Sequence, residues 1–161
     1  IGDYAVNIME KAQELEEKEA SFSETAKNEL GILDAALENI LTLTVDAFEN
    51  EDVRMARQVE PLEEVIDILV ERLRDQHIKR LKDGTCSIDT GAVYLDVLSN
   101  VERISDHCSN IAARLVGMEA GEDYDSHTLK NMMHHNPTKE YMLNYEQCRK
   151  DYLIPLEQLE A

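Results

Sequence analysis

One line of apolar residues constrains this chain more than anything else in it. Leu95, Leu98, Val101, Ile104, Cys108, Ile111 and Leu115 recur at steps of three and four, which keeps them on one face of a helix. Such a stripe drifts slowly round its helix, as it does in left-handed antiparallel bundles. Two further stripes share the period: Leu30, Leu33, Leu37, Ile40, Thr44 and Phe48, then Val59, Leu62, Ile66, Leu69 and Leu73. The spacing therefore predicts helices from a capping box at Ser21–Glu24 to Phe48, over about 52–82, and over about 89–115. Pro61 implies that the second of these starts late or kinks. Lys82-Asp83-Gly84-Thr85 is a stop signal, with cations in the last turn and Gly beyond it. Helices this long span roughly 40–45 Å. Joined by short turns, they pack as an elongated up-down bundle, so the fold class is all-α.

Residues 1–19 read as another helix with no N-terminal cap, and a preceding segment is expected to have been removed. Residues 117–137, with Gly117, Gly121 and Pro137, read as a loop holding at most one short helix. A last helix is expected over 138–153, with Pro155 near its end.

Composition narrows the function. With no Trp and only two Phe and six Tyr, the core must be aliphatic. Sixteen basic against 34 acidic residues give a formal net charge of −18. That surface repels nucleic acid and anionic lipid, which bind through Lys and Arg. Metal cations or a basic protein surface are its natural counterparts, although acidity also serves simply to keep a bundle in solution. Three Cys without a C-x-x-C spacing suit a reducing compartment. No apolar run approaches the ~20 residues of a membrane span, so a cytoplasmic location is expected.

The chain states one phrase twice. Residues 1–8 and 104–111 are both I-x-D-x-x-x-N-I. In the second copy Glu102, Asp106 and Asn110 are spaced by four and form a ridge facing nearly away from the Ile104/Cys108/Ile111 stripe. In the first, Asp3 and Asn7 hold the matching places, and the leading acid would lie two residues before Ile1. Two such ridges side by side would offer oxygen ligands to a hard or borderline cation; a solvated helix face explains the spacing as well.

V-E-R-I-S-D-H-C-S-N-I-A (101–112) resembles the second motif of PhoU-type proteins, and I-G-D-Y-A-V-N-I-M-E (1–10) resembles the first. The likeness extends through H-I-K-R-L-K-D-G-T-C (77–86) and G-A-V-Y-L-D-V-L-S-N (91–100). It implies a pair of three-helix bundles related by an internal repeat. Residues 1–20 would then be the last helix of a truncated first repeat, 21–118 a complete second one, and 119–161 a loop and C-terminal helix extension. It implies multinuclear iron or zinc on the acidic motifs, with metal ligands at Glu102, Asp106, Asn110, Asp3 and Asn7. Glu60 and Asp67, in E-P-L-E-E-V-I-D, would be second-rank ligands. A complete metal site in the family draws on both repeats, which this chain does not carry in full.

The resemblance also implies a regulator of phosphate uptake at the inner face of the cell membrane. It would be the cytoplasmic C-terminal domain of a sodium/phosphate cotransporter or a free-standing accessory protein. Its partners would be the transporter's membrane domain, other regulatory proteins, or a second copy of the chain as a homodimer.

Other residues carry less. Glu60, Glu64, Asp67 and Glu71 share a face that reads as solvated, with Arg74 making ordinary pairs along its helix. His77 reads as a partly buried structural histidine and Cys108 as a small core residue. His107 and Asp106 diverge by about 100°, and His134-His135 sit together in the loop. No His stands three residues after a Glu, so an inward-facing di-iron carboxylate site is not encoded. Gly-rich phosphate loops and G-x-S-x-G elbows are absent too. No catalytic residue is assigned; a plain helical adaptor is the remaining alternative.

Overall fold

The computed structural model describes residues 1–121 and 137–160, with Thr128, Asn131 and His135 between them. Most of the predicted loop, including His127 and His134, lies outside the described residues. The helices whose bounds are described are α1 (Gly2–Glu17), α2 (Glu24–Glu49), α3 (Val53–Lys82), α4 (Ile88–Ala120), α5 (Lys139–Cys148) and α6 (Ile154–Glu160), with a π-helical turn at Arg149–Leu153 joining the last two. No helix among the described residues is long and apolar enough to cross a membrane.

Caps define these elements. Asp52 accepts from the backbone N–H of Arg54 and Met55, Ser87 from Thr90, and Thr138 from Tyr141. Each satisfies a first-turn donor that has no helical partner. The cap of α2 is Ser23, whose Oγ accepts from Ala26 at 3.2 Å, and not the expected Ser21. The later start leaves Phe22 outside the helix, free to turn edge-on against Tyr94 with ring centroids 5.5 Å apart. α3 does not start late at Pro61: it runs from Val53 to Lys82 with Pro61 buried inside it. Its last turn carries Lys79, Arg80 and Lys82, and Gly84 follows in the left-handed region at φ +68°, as the stop signal predicts.

α2, α3 and α4 form an up-down three-helix bundle. Val59, Leu62, Ile66, Leu69 and Leu73 of α3 meet Leu33, Ala36 and Ile40 of α2 and Leu98, Ile104 and Cys108 of α4 in one aliphatic core. One expected core position fails. Phe48 is 62% exposed, because Ala47 takes the inward place and its neighbour is turned about 100° away. α1 packs on α4 in the antiparallel sense: Asn7 meets Asn100 and Lys11 meets Asp96. No residue of α1 is fully buried.

The C-terminal helix packs against α3 and α2 and gives the bundle a fourth member. Tyr141, Leu153 and Leu156 are its buried anchors. Arg72 pairs with Glu157 at 3.1 Å, and Asn39 donates to Tyr152 Oη at 2.8 Å. The helix outruns the expected end at 153. Pro155 has no N–H to give and its ring crowds the carbonyl of Asp151; the wider π turn, closed by the Ile154 N–H on the Arg149 carbonyl, accommodates both.

Candidate functional site at the repeated motif

The antiparallel docking of α1 on α4 brings the two copies of the phrase side by side. Tyr4 lies against His107 (centroids 5.5 Å apart), Asn7 Nδ2 donates to Asn100 Oδ1 at 3.1 Å, and Lys11 Nζ reaches Asp96 Oδ2 at 2.9 Å. The hydrogen bond to Asp96, with one to Glu14, raises the Lys11 ammonium above its ordinary pKa. The structure thus gathers the helices that the repeated phrase singles out.

It does not gather the candidate ligands into one set. Glu102 is half-buried and accepts from Arg74 of α3 at 3.1 Å. This replaces the expected pairs along Arg74's own helix. Asp106 Oδ2 stands 3.8 Å from Arg103, and Asn110 turns its amide back to the Asp106 backbone carbonyl at 2.9 Å. Asp3 is exposed, and Asn7 is engaged with Asn100.

Glu60 and Asp67 belong to a different surface. Glu60 is 1% exposed and accepts from Ser109 Oγ at 2.6 Å inside the α3–α4 interface. Asp67 is half-buried with its Oδ1 shielded from solvent, and Glu64 accepts from the Tyr141 hydroxyl. This acidic face of α3 is therefore not the solvated one the spacing suggests, because the C-terminal helix lies over part of it. Burial, and then Glu64, hold the Tyr141 phenol protonated far beyond its usual range.

A multinuclear iron or zinc centre requires several oxygen or nitrogen donors converging on each ion. Among the described residues no group of three or more His, Cys, Asp or Glu side chains is placed to hold one. The donor set present, with Glu102 and Asp106 held beside arginine and Glu60 enclosed on Ser109, does not fit that group.

A polar network on another face of α4 is not among the sequence expectations. Arg80 donates two hydrogen bonds to Glu29, at 2.7 and 2.8 Å, and Tyr94 Oη donates to the same carboxylate at 2.8 Å. Glu29 is 3% exposed. Burial works against the Arg80 charge, but its bonds to Glu29 outweigh this and raise its pKa; burial and then Glu29 raise that of Tyr94. His77 stacks on Tyr94 with centroids 4.8 Å apart, 1% exposed, its Nε2 without a partner among the described residues. The signal was in the sequence. Glu29 falls between Ala26 and Leu33 at steps of three and four, an acid in the core register.

Comparison with known proteins agrees with this architecture. The PhoU domain family matches residues 33–115, just over half of the 161-residue chain. The phosphate-specific transport system accessory protein PhoU homolog 1 of Thermotoga maritima is 28% identical over 123 residues, covering 76% of this chain and 52% of that protein. The PhoU homolog of Streptococcus pneumoniae serotype 4 is 30% identical over 125 residues, covering 78% and 56%. The chain thus spans about half the length of these curated relatives. No solved structure matches it significantly. The helices that carry the second phrase, the all-α bundle and the family match lead to one statement: the chain belongs to the PhoU domain family.

Proposed function

We propose that this domain regulates phosphate uptake by protein contact on a phosphate transporter and turns over no substrate. The observation that carries the reading is its similarity, over about three-quarters of the chain, to accessory proteins of phosphate-specific transport systems. Two features of the surface support contact as the means. Val6 and Met9 on α1 and Val45 and Phe48 on α2 leave apolar side chains exposed, and the surround is strongly acidic. Cytoplasmic loops of membrane proteins are enriched in Lys and Arg, so such a loop is a complementary partner. Docking more tightly to one state of a transporter than another would bias its cycle. A free-standing accessory role fits at least as well as attachment to a sodium/phosphate cotransporter, and both place the domain at the inner face of the membrane.

The test is phosphate uptake by cells of the source organism with the coding region for these residues deleted. Uptake should lose its dependence on external phosphate, and the protein should co-purify with a phosphate transporter. Unchanged regulation, or phosphoester hydrolysis by the purified chain, would overturn the reading.

A further inference from the structure

Asp96, Glu102 and Asp106 of α4 each meet a side-chain cation, and each cation comes from a different source. Lys11 of α1 stands 2.9 Å from Asp96, Arg74 of α3 3.1 Å from Glu102, and Arg103 of α4 itself 3.8 Å from Asp106. We propose that these cations take the electrostatic role that the family resemblance gives to a metal, so that the repeated motif of this chain is held without one.

The charge balance makes the placement informative. Acids outnumber bases by 34 to 16 over the whole chain, yet each of these three carboxylates meets a side-chain cation, Lys11 being shared with Glu14. An approaching divalent cation is attracted by them and repelled by Arg74 and Arg103 at similar range, so the two effects largely cancel. To coordinate Glu102 it must also displace a hydrogen-bonded guanidinium. The cations also link three elements: Lys11 ties α1 to α4, and Arg74 ties α3 to α4.

The experiment is equilibrium dialysis against zinc, iron(II) or nickel followed by elemental analysis. The quantity read is the metal uptake that Glu102→Gln with Asp106→Asn abolishes. It should be absent in the unaltered chain. In an Arg74→Ala, Arg103→Ala variant it should appear, with affinity higher by on the order of tenfold or more; Arg74→Lys with Arg103→Lys, which keeps the charge, should not gain it. Circular dichroism of each variant confirms the fold, and the exposed ends of these pairs make unfolding no obstacle. Stoichiometric uptake of this kind by the unaltered chain overturns the proposal. So does an alanine variant that binds no more tightly than its parent. Neither result bears on whether the domain regulates phosphate uptake.

Discussion

Two faces of α4 tie it to its neighbours in opposite ways. Near its N-terminus Tyr94 joins a closed network in which Glu29, Arg80 and His77 are shielded from water and share partners. Along its outer side Asp96, Glu102 and Asp106 make separate, half-exposed pairs with Lys11, Arg74 and Arg103. The comparison teaches where polar contacts fix a structure and where they only favour it. A buried carboxylate with three donors cannot lose one without leaving another desolvated and unpaired. A surface pair is replaced by water at little cost.

That contrast is broken most directly at Glu29. Glu29→Ala leaves the Arg80 guanidinium and the Tyr94 hydroxyl without their shared acceptor, and should cost about 3–5 kcal/mol in urea unfolding. A loss below about 1 kcal/mol would make the network no different from the surface pairs. Next comes Gly91→Ala. A Cβ there would lie 2.8 Å from His77 Nε2 and 3.2 Å from Leu81 Cδ2. The stacked ring must move, so a loss of about 1–3 kcal/mol is expected despite the better helix propensity of Ala. His77→Ala in the same chain should recover most of it.

Acid sharpens the comparison further. Burial first, and then the Arg80 charge, lower the His77 pKa below its ordinary 6.5, with Glu29 pulling the other way. The folded state therefore binds this proton less readily than the unfolded state. Its contribution to stability is full above pH 6.5 and is lost as pH falls below that value. His77→Gln should flatten the melting temperature across that window. The smallest effect belongs to Arg74→Ala, under about 1 kcal/mol and diminishing as salt is added.

The same contrast explains what could be read from the sequence. The bundle was legible because its stripes on α3 and α4 are long, apolar and regular. Val59 to Leu73 and Leu98 to Cys108 are buried as their spacing predicts. The repeated phrase singled out α1 and α4, and α1 does lie on α4. What failed were local choices decided by tertiary packing. Ser23 rather than Ser21 caps α2 because Phe22 turns inward against Tyr94. Phe48 lost its place to Ala47, and Glu60 was enclosed on Ser109. Arg74 chose Glu102 across the helix interface over acids on its own helix. Spacing along one helix cannot say which neighbour will approach, and every one of these outcomes depends on a second helix. The Glu29 network was a missed signal of another kind, since its register was visible but its partners were not.

The π turn before Pro155 has a consequence for anyone aligning this chain by its periodicity. One extra residue in that turn advances everything beyond it by about 100° round the axis. Tyr141 before the turn faces Glu64, while beyond it Leu156 is buried and Glu157 pairs with Arg72. The phase has to be stepped by one position at Arg149–Leu153 before inward and outward faces are compared between relatives.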